Sequence, residues 1–251
     1  MKKNQRFGLR LAVASLAVFL LAVPFTGLLA LVDTHWRPLE KVDEGATKSL
    51  NHYVLDHRVF VHPLQATSYI FHAWVFRSIV VALIVWLVLR GARRLAAWAA
   101  ITLVVGGVLD LVLKVVIDRP RPDLEAPIAH APGGSFPSGH ALTAAVGSAV
   151  IVMVLLPVLR AGWRVVAWVV AAVVTLVAGV CRIALGVHFV SDVLAGWVLG
   201  IAVVAATAAA FETWRRDEGR PPVQPVTEGL EPEAAPQISA TGSPDPAHRK
   251  N

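Results

Sequence analysis

Residues 114–140 read KVVIDRPRPDLEAPIAHAPGGSFPSGH, and residues 182–192 read RIALGVHFVSD. These two stretches put Lys114, Arg119, Arg121, His140, Arg182, His188 and Asp192 into a chain that is otherwise mostly alkyl. Ionisable side chains are expensive near a bilayer, so cations and histidines gathered at the ends of apolar segments mark a functional site. The segments on either side are long enough to cross a hydrocarbon core of about 30 Å at 1.5 Å per residue. Only backbone that satisfies its own hydrogen bonds can do so, and these runs are too long for strands. The fold class is therefore all-α, a polytopic membrane protein.

Working outward, six transmembrane helices are expected over residues 11–32, 68–89, 95–117, 138–157, 163–185 and 189–211. The first follows Lys2, Lys3, Arg6 and Arg10, a flank that also suits a cleaved signal peptide. Its length and the lack of an Ala-x-Ala site favour an anchor, with Pro24 as a kink. Between the first two spans, Leu39, Val42, Ala46, Leu50 and Val54 recur at helical spacing. That pattern predicts a surface helix with one face in the headgroups. The spans form one domain, residues 1–213. From 214 to 251 the chain is rich in Pro, Glu, Ser and Gly, too poor in large apolar residues to offset chain entropy, and reads as a disordered cytoplasmic tail.

Composition agrees. The 251 residues are 56% hydrophobic and 16% charged, against roughly 45–50% and about 25% in soluble domains. Cys181 is the lone cysteine, which excludes an intramolecular disulfide and a cysteine zinc cluster. His35, His52, His57, His62 and His72 match no compact zinc spacing and read as surface histidines, so no metal and no cofactor are expected. The net charge of +6 sits at segment ends and forms no continuous basic face, which argues against nucleic acid. Basic loops around residues 90–94, 160–164 and 215–216 share one side with the amino terminus. The positive-inside rule makes that side cytoplasmic, with both termini there and the motif stretches facing outward.

Three groups carry the chemistry. Lys114 and Arg121, seven residues apart around Pro120, can converge on one anion, the arginine as a planar fork and the lysine as a compact charge. Snorkelling cations at a helix end give the same pattern. Ser138 and Gly139 open a helix whose exposed N–H groups suit an anion, with His140 beside it. A plain cap gives that pattern too. His188 and Asp192 are four apart, so on a helix the carboxylate can orient the ring and leave its other nitrogen free as a nucleophile. A buried structural pair is the bland alternative. Jointly the groups supply three cations, an amide nest, two histidines and a carboxylate on one membrane face. Phosphoryl transfer needs that set, because fixed donors stabilise charge spread over the equatorial oxygens. Arg119, Asp118 and Asp123 read as solvated loop residues. His130 has no helix start or orienting partner in sequence and is left out.

The ordered set Lys114-x6-Arg121-Pro122, Pro137-Ser138-Gly139-His140 and Arg182-x5-His188-x3-Asp192 resembles the three-part signature of the type-2 phosphatidic acid phosphatase superfamily. The resemblance implies a metal-independent lipid phosphate phosphatase. In it His188 forms a phosphohistidine and Asp192 orients it, while His140 protonates the leaving oxygen and later activates water. Lys114, Arg121, Ser138, Gly139 and Arg182 would hold the phosphate. The family's third motif usually opens with serine where this chain has Cys181, which removes one hydroxyl. The expected substrate is a phospholipid or isoprenoid phosphate, with undecaprenyl diphosphate first, then phosphatidylglycerophosphate and phosphatidate, at the outer leaflet of a bacterial inner membrane. A lipid phosphotransferase would use the same intermediate. A transporter of anions or lipids would need polar residues continuing down the spans, which are instead Ala, Val, Leu and Gly. The sequence sets no oligomeric state.

Overall fold

The computed structural model describes residues 22–239. Helices α1 (Ala22–Asp33) and α2 (Arg37–Asp56) come first, followed by α3 (Val61–Ile70), α4 (Ala73–Leu89) and α5 (Arg93–Ile117). Helices α6 (Gly139–Leu155), α7 (Ala161–Ala184) and α8 (Val190–Asp217) complete the bundle, and short helices α9 (Pro225–Glu228) and α10 (Ala235–Ser239) follow. No strand occurs among the described residues. Five helical stretches there are long and apolar enough to cross a membrane, Arg58–Leu89, Arg93–Ile117, Gly139–Val158, Ala161–Ala184 and Val190–Asp217. Of the first expected span, residues 11–32, only the part in α1 is described, and residues 11–21 lie outside the described part.

Helix α6 is the hub. It packs against α4, α5, α7 and α8, and its inward residues from Ala141 to Val154 are almost all buried. Lipid tails are as apolar as leucine, so helices in a bilayer associate through close packing and interhelical hydrogen bonds. Small residues let α6 and α8 touch: a Cβ added at Gly196 would lie 2.6 Å from the Ser138 carbonyl, and one at Gly200 would lie 2.8 Å from Ala145 Cβ. Between α5 and α8, the Thr102 hydroxyl donates to that of Thr207 at 2.9 Å.

Three elements depart from the sequence reading or add to it. The second span is broken: α3 ends at Ile70, and His72 adopts an extended backbone and caps α4, its Nδ1 accepting from the Trp74 amide at 3.2 Å. Helix α2 forms as expected, but it turns Asp43, Thr47, Asn51 and Val54 inward and leaves Val42 58% exposed. The polar face is buried because it binds polar groups of the bundle, as when Asn51 donates to the Ala184 carbonyl. Past Thr213 the chain does not lose structure at once. Helix α8 continues to Asp217, and the chain folds back so that Leu230, Ala234 and Ile238 join the main apolar core. These residues, spaced four apart, fill the end of the bundle, and Glu233 accepts two hydrogen bonds from the fully buried Arg215, at 2.8 and 2.9 Å. Residues 240–251 lie outside the described part.

The ends of the bundle therefore differ. One gathers the α3–α4 break, the end of α5, the starts of α6 and α8, the end of α7, and α2. The other is closed by residues 218–239.

Gly200→Ala should lower the unfolding midpoint of the detergent-solubilised protein, at an overpacking cost of about 1–3 kcal/mol. Gly107→Ala, where an added Cβ meets nothing within 4 Å, should be neutral or stabilising. Equal effects of the two would refute the close α6–α8 crossing. The Arg215 hydrogen bonds hold the Glu233 carboxyl below its ordinary value. Its contribution is thus present above the ordinary carboxylate pKa and lost as pH falls through the lowered one. Protease cuts within 218–239 should stay rare at neutral pH and rise only below about pH 4.

Candidate active site

The site is built from three local features at one end of the bundle. Helix α5 ends where Asp118 adopts a left-handed backbone at φ 40°, which throws residues 119–138 across the top. Just past the end of α7 comes Gly186, φ +76°, where a Cβ would lie 2.5 Å from Leu124. That close approach permits the tight turn that delivers His188 to the start of α8. Helix α6 begins at Gly139, where a Cβ would lie 2.7 Å from Lys114 Nζ, so only a glycine lets the lysine reach this backbone.

A cavity of about 710 Å³ opens between these features. Lys114, Arg121, Gly139, His140, Arg182 and His188 line it, six of the eight residues singled out from sequence. The other two stand directly behind: Ser138 and Asp192 are fully buried, and the Ser138 amide donates to the Asp192 carbonyl at 2.9 Å.

His188 is 2% exposed. Its Nδ1 lies 3.5 Å from Asp192 Oδ2, and Arg121 Nη1 lies 3.2 Å from its Nε2. A guanidinium can only donate, so Nε2 carries the lone pair and Nδ1 the proton, a tautomer assigned from the partners. Burial pushes the His188 pKa below its ordinary value, against the pull of Asp192, so the ring is neutral near pH 7. The Nδ1 contact is long and lacks hydrogen-bond geometry, so the carboxylate acts on the neutral ring through the dipole of its N–H.

Arg121 spends every donor inside the protein. It bonds the carbonyls of Gly133, Val187, Pro132 and Gly134, as well as His188 Nε2, at 2.8–3.2 Å. Lys114 pairs with Asp110 at 3.1 Å, and Arg182 donates to the Ser68 hydroxyl at 2.8 Å. Around the cavity, Ser138 Oγ, His140 Nε2, Arg182 Nε and His188 Nδ1 are buried without a hydrogen-bond partner. Each such atom costs about 1–3 kcal/mol, a penalty that natural structures accept at sites that bind something. Ser138 is at the N-cap of α6 but makes no side-chain capping bond, unlike the expected cap.

Sequence reasoning missed several residues. Arg119 is no solvated loop residue: its side chain is 11% exposed and donates to Asp192 at 2.6 Å, to Ser191 at 2.7 Å and to Asp43 at 2.9 Å. Asp43, on the inward face of α2, also accepts from the amide and hydroxyl of Ser191. His72, read as a surface histidine, has its ring 4.6 Å from that of His140, edge to face. It lines the cavity with Ser68, Arg77, Asp110 and His130. The signal for His72 and Arg77 was present, since both interrupt an apolar run; nothing in sequence spacing links Asp43 to residue 192. Cys181 is buried and does not line the cavity.

Residues 95–216 match the PAP2 superfamily. Over 96 residues the chain is 45% identical to phosphatidylglycerophosphatase B of Bacillus subtilis (strain 168), a match covering 37% of this chain and 46% of that protein. It thus spans about half the length of that relative. The crystal structure of a transmembrane PAP2-type phosphatidylglycerolphosphate phosphatase from Bacillus subtilis superposes with a TM-score of 0.71 at 26% identity, covering 79% of this chain and 98% of that one. The apolar helical bundle, the three motifs converging on one cavity, and these likenesses together make the chain an integral membrane protein whose residues 95–216 form a PAP2 superfamily domain.

Proposed function

We propose that the chain is a lipid phosphate phosphatase working through a phosphohistidine, with phosphatidylglycerophosphate as the favoured substrate. The observation that carries the chemistry is His188, neutral, with its Nε2 turned to Arg121 on the cavity wall and a carboxylate behind it. The likeness, in sequence and in structure, to phosphatidylglycerophosphate phosphatase of Bacillus subtilis supports that lipid over undecaprenyl diphosphate, the first expectation from sequence.

In this reading Nε2 attacks the terminal phosphorus, the P–O bond to the glycerol oxygen breaks, and that oxygen takes the electron pair. His140 protonates it. Water then attacks the phosphohistidine as His140 takes its proton, and phosphate leaves with the N–P electron pair returned to Nε2. Asp192 stabilises the imidazolium character that grows on His188. Lys114, Arg182, the Gly139 amide and Ser138 hold the equatorial oxygens, and Arg121 follows once it exchanges a carbonyl for the substrate. These donors belong to the chain itself, so phosphate release is expected to survive EDTA. Arg119 and Asp43 act as positioning residues for Asp192. The basic loops at the opposite end of the bundle support a site facing outward from a bacterial inner membrane, with the termini in the cytoplasm.

Purified protein in detergent should release phosphate from phosphatidylglycerophosphate faster than from undecaprenyl diphosphate or phosphatidate. His188→Ala should lower release by roughly 10⁴-fold or more; mutant turnover near that of wild type would refute the phosphohistidine route. Arg119→Gln should lower kcat by about 100-fold with little change in KM, because it misplaces the nucleophile without touching substrate. A rise in KM alone would contradict the positioning role.

A further inference from the structure

Arg77 lies on α4 within the stretch that crosses the membrane, yet it belongs to none of the three motifs. It lines the same cavity as the motif residues. Its guanidinium stands 3.8 Å from Asp110 Oδ2 and 5.1 Å from the Trp74 ring, and it makes no hydrogen bond among the described residues. A guanidinium carries five donors. Its side chain is 30% exposed and lines the cavity, so its donors are open to a ligand there.

The surrounding charge says which ligand. The cavity is lined by four cations, Arg77, Lys114, Arg121 and Arg182, and by one carboxylate, Asp110. Asp110 pairs with Lys114 at 3.1 Å and with Arg77 at 3.8 Å. Lys114 Nζ lies beside the first residue of α6, where the reacting phosphate belongs, whereas Arg77 belongs to α4, which supplies none of the motif residues. A terminal phosphate carries only about −1.5 to −2, so it leaves positive charge over.

We infer that Arg77 binds a second phosphate of the substrate, beyond the one that is cleaved. The inference rests on the phosphatase reading above and deepens it: it names lipids with two phosphates as the preferred class. A phosphodiester one glycerol away from the reacting phosphate and the inner phosphate of a lipid diphosphate both supply that chemistry. Phosphatidate, with one phosphate, does not. Arg77 is thus a specificity residue.

The test is kcat/KM of the full chain in detergent on phosphatidylglycerophosphate, undecaprenyl diphosphate and phosphatidate, for wild type, Arg77→Gln and Arg77→Lys. Arg77→Gln should cut the ratio of two-phosphate to one-phosphate turnover by about ten-fold or more, through KM, and Arg77→Lys should restore part of it. A fall confined to the phosphatidylglycerophosphate arm assigns the phosphodiester, and one confined to the diphosphate arm assigns the inner phosphate. An unchanged ratio, whether turnover holds or falls equally on all three lipids, would overturn the assignment of Arg77 and leave the phosphatase reading standing. Wild-type protein inert on every lipid would overturn both.

Discussion

A carboxylate taken out of water has to be paid for by partners, and the active end of this protein is arranged around two of them. Asp43 and Asp192 are at most 1% exposed, and the Arg119 guanidinium lies between them. Removing one member of such a group would strand a buried charge, at a cost of about 3–5 kcal/mol. Ser191 ties the same two elements through its amide and hydroxyl, and the Phe189 amide caps Asp192 Oδ2 at 2.8 Å. Three segments far apart in sequence, α2, the loop after α5 and the first turn of α8, are therefore held in one register. The imidazole between Asp192 and the cavity takes its orientation from that register.

Beneath it, the bundle holds the start of α6 against α8 through glycine. Gly196 meets the Ser138 carbonyl, and the Ser138 amide bonds the Asp192 carbonyl. Packing and chemistry share these atoms: the contact that lets two helices cross closely also fixes the distance between the amide nest and the His–Asp pair. A larger residue at 196 would separate the two halves of the site as well as loosen the core.

Sequence was a good guide where the physics is local. Spans α5 to α8 fall within a few residues of their expected bounds, apart from the longer end of α8, because alkyl length is a direct signal. The three motifs converge because each sits at a helix end on the same face. Long-range polar pairing was not legible: nothing in the spacing of Asp43 reveals that it meets Arg119 and Ser191. The inward polar face of α2, Asp43, Thr47 and Asn51, was not legible for the same reason, since apolar periodicity locates only an apolar face. The end of the chain misled in the opposite direction. Leu230, Ala234 and Ile238 are few, but a bundle with an open end needs only a few to close it.

Arg121 rests with all its donors committed, one of them on the lone pair of His188. A ligand that recruits it has to offer acceptors in exchange, and a terminal phosphate presents three oxygens where the phosphodiester of an ordinary membrane lipid presents two. In the proposed phosphohistidine route that exchange is a latch. A chain immersed in a sheet of phosphodiesters faces a vast excess of near-substrates, and a His188 lone pair covered until a richer anion arrives would be shielded from that background.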